Sequence, residues 1–409
     1  MQKNHVGIVG TGVYLPKGIM TAAQIAEATK GVWAESAVRE KLGINQKLVP
    51  ADPASDGTQE MGALAALDCL KNTGTDPKDI DVILCIGEEW KEYPLTTSAL
   101  YIQDRIGAVN AWGIDVQNRC CTCVSAMKIA KDMMLADEQI NTVLVVGGYR
   151  NGDFLDYTDR NMSMMYNLGA GGGAILLKKN LGKNLLLGSH IISDGSLART
   201  AGVEIGGIAH PITCDNLGEA YQSLRLFEPE KMKNRLNQVS AANWVTCIEK
   251  SLEKSKLSLS DLDFLAILHI KRSGHLGMLK DLGLTEDQTI YLEDYGHIGQ
   301  IDQILSLHLA LQQGKVKDGS VICMLAAGIG NASRCVAAND VVIHAAEPGR
   351  MHSGYPANPG QLPAYDRALC AGDHGDCAHF PHHRHHQLRP GPDRHLRHLF
   401  CHLPLPHLY

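Results

Sequence analysis

Cys120 stands in the stretch GIDVQNRCCTCVSAMKIAKDMM, where a strand pattern gives way to a helical one. A thiol at a helix N-terminus faces unpaired backbone N–H groups and the positive end of the helix dipole. Both favour the thiolate, the form that attacks a carbonyl carbon. Two histidines far downstream also follow apolar runs: His269 in DLDFLAILHIKRSGH and His297 in YLEDYGHIGQIDQILSL. A cysteine with a distant imidazole is a candidate acyl-transfer site. The plainer alternative is a buried, inert cysteine and two unrelated histidines.

An internal duplication supplies the elements that would bring these residues together. GALAALDCLKNTGTDPKDIDVILCIG reads as an amphipathic helix, a polar turn and a buried strand, and ANWVTCIEKSLEKSKLSLSDLDFLAILH repeats that order. A second pair, VSAMKIAKDMMLADEQINTVLVVGG and QILSLHLALQQGKVKDGSVICMLAAG, is helix, turn, strand and glycine at about the same offset. Continuous apolar strands alternating with helices predict an α/β fold whose sheet is covered on both faces. Two such halves about a pseudo-twofold axis place equivalent helix N-termini side by side. Cys120 begins one of those helices and His297 precedes its counterpart, which favours the reactive pair over the inert alternative.

The composition sets the outer bounds. The chain has 409 residues, 44% hydrophobic and 20% charged, which fits a folded protein with a large core. A formal net charge of -6 argues against a general nucleic-acid partner. No apolar run reaches the length of a membrane span, no signal peptide is evident, and the thiol chemistry fits a cytoplasmic setting. GIVGTG lacks the third glycine of a dinucleotide loop, and Cys120-Cys121-Thr122-Cys123 has no second cysteine pair for zinc, so neither a cofactor nor a metal is expected. The texture changes after about Gly330. The segment 331–409 carries 12 of the 19 histidines and nine of the 16 prolines, with no helical or strand period. We read three parts: a first half 1–180 with Cys120, a second half 181–330 with His269 and His297, and an anomalous tail 331–409, unstructured or frame-shifted.

GIVGTGVYLPKGIMT, GVWAESAVREKLGINQKLV, YPLTTSALYIQDRIGAVNAWGIDV, LDYTDRNMSMMYNLGAGGGAILL and MLAAGIG, in this order, resemble the thiolase superfamily, above all its ketoacyl synthase III branch. The resemblance implies a thiolase-like α/β fold, two duplicated halves in a layered αβαβα arrangement, and a homodimer. Asp115 to Cys120 resembles the family's Asp-x-x-x-x-Cys, and His269 after Asp261-Leu262-Asp263 resembles its histidine. It implies that Cys120 takes an acyl group from acyl-CoA while His269 serves as base or hydrogen-bond donor. It further implies that Gly328 and Gly330 help hold the oxyanion and that Trp33 and Arg160 contact coenzyme A.

Three positions depart from the family pattern. Ile270-Lys271-Arg272 replaces Gln-Ala-Asn, His297 replaces the asparagine of Tyr-Gly-Asn, and Leu168 replaces an acid before the glycine run. The implied reaction is condensation of the acyl group with a malonyl-type thioester on acyl carrier protein, which Lys271 and Arg272 could meet. GHIGQIDQ also resembles acyltransferases of the same branch that deliver the acyl group to a hydroxyl or amine. In those, Asp302 would orient the catalytic His297. An inactive relative is the remaining alternative.

Overall fold

The computed structural model of the chain describes residues 5–328 and 341–343. The chain opens with β1 (Val6–Tyr14), then β2 (Gly18–Thr21), α1 (Ala22–Ala28), α2 (Glu35–Ala37) and β3 (Gln46–Val49). Strands β2 and β3 form a small antiparallel sheet of their own. The first half continues with α3 (Thr58–Thr73), β4 (Val82–Cys85), α4 (Ser98–Ile106), β5 (Trp112–Asp115), α5 (Thr122–Ala136), β6 (Thr142–Tyr149) and β7 (Gly171–Lys179). After the short β8 (Leu185–Leu186) come β9 (Ala201–Val203) and β10 (Leu224–Leu226), which pair with each other. The second half holds α6 (Pro229–Lys254), β11 (Phe264–Ile267), α7 (Arg272–Leu282), α8 (Asp302–Gln312), β12 (Ser320–Leu325) and β13 (Val341–Ile343).

One nine-stranded mixed sheet runs through both halves in the order β11-β12-β13-β8-β1-β7-β6-β4-β5. Strand β4 pairs in parallel with both β5 and β6, and β11 pairs in parallel with β12. The predicted duplication is visible in these pairs: α3–β4 corresponds to α6–β11, and α5–β6 to α8–β12. Every residue of β4, β6 and β11 is buried, as a sheet covered on both faces demands. Each such Val, Ile or Leu side chain removed from water contributes on the order of 2 kcal/mol.

The glycines of GIVGTG have a packing role. A Cβ on Gly12 would stand 2.2 Å from the Cys69 backbone nitrogen, and on Gly172 2.1 Å from the Met61 carbonyl. Helix α3 therefore lies directly on β1 and β7, and its small face (Gly62, Ala63, Ala65, Ala66) is buried there. Helices α5 and α8 are buried almost all round over their first two turns. Such helices belong to the centre of a layered molecule rather than to its surface.

Apart from the backbone of β13, which extends the sheet beside β12, the tail 331–409 lies outside the described residues.

Candidate active site

Strands β4 and β5 end side by side, with Cys85 opposite Asp115. Asp115 turns its carboxylate onto the N–H groups of Ser98 and Ala99 (2.9 and 2.8 Å), capping α4 from outside the helix. Five residues on, a 3₁₀ turn (Arg119–Cys121) feeds directly into α5. Cys120 sits in that turn, 7% exposed. Arg119 before it has φ +52°, in the left-handed region. That region costs a residue with a side chain roughly 1–2 kcal/mol, so something must hold it. Thr122 Oγ1 donates to the Arg119 carbonyl (2.5 Å) and accepts from Asn118 N–H (2.9 Å), stitching the turn to the helix.

The equivalent turn of the second half (Gly299–Ile301) feeds α8, and His297 stands just ahead of it. His297 Nε2 lies 3.1 Å from Cys120 Sγ, and its Nδ1 lies 2.5 Å from Asp302 Oδ2. A carboxylate only accepts, so Nδ1 carries the proton and Nε2 points its lone pair, or its second proton, at the sulfur. Asp302 is fully buried and also accepts from the N–H groups of His269 and Ile298, each at 2.7 Å. Burial alone would lower the His297 pKa. The charge of Asp302 and then of Cys120 outweighs it, and the imidazole is held well above its ordinary value. The arrangement is a thiol, a base and an orienting acid, equipped for nucleophilic acyl transfer.

The backbone of His297 is splinted on both sides. Its N–H donates to the Asn167 carbonyl (2.7 Å), and its carbonyl accepts from Gly169 N–H (2.8 Å). Gly299 makes room for the Tyr149 ring, 2.3 Å from where a Cβ would stand, and has φ +55°. Tyr149 packs against the His297 imidazole, centroids 6.2 Å apart. Burial, then the negative groups Cys120, Glu88 and Asp302, push its phenol well above the usual value, so it stays protonated.

His269 is placed otherwise than the resemblance implied. Its Nε2–H donates to the Gly43 carbonyl (3.1 Å), and its Nδ1 accepts from the Asn167 side-chain amide (3.0 Å). Both ring nitrogens are thus committed, and burial pushes the pKa down to about 4, leaving the ring neutral. His297, not His269, meets the sulfur. What His269 gives the site is its backbone N–H, which holds Asp302.

Trp33 is half-buried against the main core, and Arg160 is exposed at the start of a 3₁₀ turn. Lys30 and Thr158, their near neighbours in sequence, line a surface cleft of about 560 Å³ together with Ala28, Tyr157 and Arg225. Gly328 is half-buried just past β12, while Gly330 lies outside the described residues. Lys271 leads into α7 and lines a water-sized void of about 10 Å³ beside Asn167.

Sequence reasoning missed Asn167, Tyr149, Glu88 and Arg119. Asn167 stands immediately before Leu168 in NLGAGGG, so its signal was a polar side chain ahead of a glycine run.

Comparison with known proteins bears on the fold and the family. The family model 3-oxoacyl-[acyl-carrier-protein] synthase III matches residues 114–195, and the model of its C-terminal part matches residues 252–339. A beta-ketoacyl-[acyl-carrier-protein] synthase III of Syntrophomonas wolfei is 28% identical over 333 residues, 80% of this chain and 94% of the relative. The synthase III structure from Aquifex aeolicus has a TM-score of 0.69 at 20% identity, covering 82% of this chain and 99% of that one. The acyltransferase ChlB3 gives 0.68 at 19% identity, covering 83% and 98%. At such identities the solved structures speak for the fold, which is that of the thiolases. With both halves of the family pattern matched in order, the chain is similar to the ketoacyl synthase III-like acyltransferases of the thiolase superfamily.

Proposed function

We propose that Cys120 accepts an acyl group from an acyl thioester, with coenzyme A as its carrier, and passes it to a hydroxyl or amine acceptor. The Cys120 thiolate attacks the thioester carbonyl, and the departing coenzyme A sulfur takes the proton held on His297 Nε2. In the second half-reaction Nε2 receives the proton of the acceptor O–H or N–H as that atom attacks, and Cys120 leaves as thiolate. A base held by a carboxylate suits that proton abstraction.

The observation that carries this reading is the Cys120–His297–Asp302 chain, with His269 spent on Asn167 and Gly43. Decarboxylative condensation asks for two N–H donors on the extender's thioester oxygen, and His269 presents none in this arrangement. Condensation with a malonyl-type thioester on acyl carrier protein is the second reading, supported by the names of the curated relatives. We further place the enzyme in the cytoplasm as a homodimer. Exposed Trp112 and Ile114 on the edge strand β5 support the dimer.

Incubation with acyl-CoA and intact-mass analysis tests the common step. An adduct lost in Cys120→Ala is expected, and its absence with every acyl-CoA would make the chain an inactive relative. Malonyl-carrier is then added to the acyl-enzyme. Release of carbon dioxide would establish condensation, whereas discharge of the adduct to alcohols or amines alone is the expected result.

A further inference from the structure

The loops leaving β4 and β5 are fastened together at successive levels. Val116 N–H donates to the Cys85 carbonyl (2.8 Å), and the Gln117 side-chain amide donates to the Gly87 carbonyl (2.5 Å). Arg119 then pairs with Glu88 (3.0 Å) and with Glu89 (3.2 Å). The two acids differ. Glu89 is 68% exposed, while Glu88 is 2% exposed and is also hydrogen-bonded by Asn151. A buried carboxylate survives only with firm partners, and Glu88's charge partner is the residue whose backbone is strained just before the nucleophile.

We infer that Glu88 is a positioning residue for the acyl transfer, its buried carboxylate holding Arg119 in the left-handed conformation that sets Cys120 Sγ against His297. Thr122 ties the backbone of this turn from the helix side, and Glu88 fixes the Arg119 side chain from the other. With the second hold lost, the turn is restrained at one end only and the next residue drifts off line. Glu88 touches neither the sulfur nor the imidazole within hydrogen-bonding range, so its effect passes through Arg119. The inference rests on Cys120 being the nucleophile.

The two roles open to Glu88 separate in a rescue experiment on the full chain. Glycine adopts positive φ freely and needs no partner to stay there. Glu88→Gln is expected to slow both acyl loading from acyl-CoA and iodoacetamide alkylation of Cys120, read by peptide mass, by about tenfold. KM for acyl-CoA should stay unchanged. Glu88→Gln combined with Arg119→Gly is expected to recover both rates to within about threefold of the parent, a misalignment of roughly 1 kcal/mol or less by the same constant. A double variant as slow as Glu88→Gln would overturn the inference, as would a Glu88→Gln enzyme as fast as the parent. The alkylation arm needs no acyl substrate. A parent that alkylates normally but never loads an acyl group refutes the proposed function, while the comparison of variants still decides the role of Glu88.

Discussion

In the proposed transfer three side chains carry the chemistry, and each has a distinguishable signature. His297→Ala removes the base 3.1 Å from the sulfur and is expected to cut the acyl-loading rate by about 10³-fold or more. His269→Ala leaves that contact in place and is expected to cost much less in stopped-flow loading assays. The reverse order would restore His269 to the catalytic role the resemblance implied. Asp302→Asn removes the charge that keeps a proton on His297 against the cost of burial. With the imidazolium less favoured, the His297 limb of the pH profile for acyl loading should move to lower pH. The meeting of Cys120 and His297 was legible in the sequence, because a duplicated helix–strand pattern located both helix N-termini, whereas Asp302 came from the resemblance of GHIGQIDQ to acyltransferases. The division of labour between the two histidines was not. It depends on where the Asn167 amide and the Gly43 carbonyl lie, and those contacts join residues far apart in the chain.

At the level of elements, several buried titratable groups are held without matching charge. His275 on α7 has neither ring nitrogen hydrogen-bonded and packs edge-on against Tyr291. Burial, with Arg272 adding to it, pushes its pKa down to about 4. The folded state therefore binds fewer protons than the unfolded chain between about pH 6.5 and 4. The stability this represents is full above about 6.5 and lost as pH falls toward 4. His275→Leu should raise stability near pH 4.5 by on the order of 2 kcal/mol, with little gain at pH 8, in urea titrations at both pH values.

Lys47 on β3 is buried too, its ammonium donating to Tyr157 (2.6 Å) and to the Leu168 carbonyl (2.7 Å), and burial pushes its pKa down to about 7. Its hydrogen-bond partners are both neutral, and the charge of Asp153 offsets only part of the cost of burial. The long buried strands and amphipathic helices were readable from periodicity. The two- and three-residue strands β8, β9, β10 and β13 were not, since so few residues show no period and their pairing is decided by distant neighbours.

For the whole molecule, the fold class was legible because the repeat constrains the architecture more than any single motif does. The join between the halves was not, since β8 meets β1 at a single residue pair, Gly7 with Leu185. The proposed dimer can be tested at the free edge of the sheet. Trp112→Lys with Ile114→Lys should shift the protein toward monomer in sedimentation velocity, whereas an unchanged oligomer would locate the interface elsewhere.

The sulfur and the imidazole that touch it are 177 positions apart, and the acid lies five residues beyond the imidazole. On a ribosome, the cysteine emerges long before its base exists. A nascent or truncated chain ending short of residue 302 thus carries the thiol without the imidazole–carboxylate pair that the folded chain sets against it.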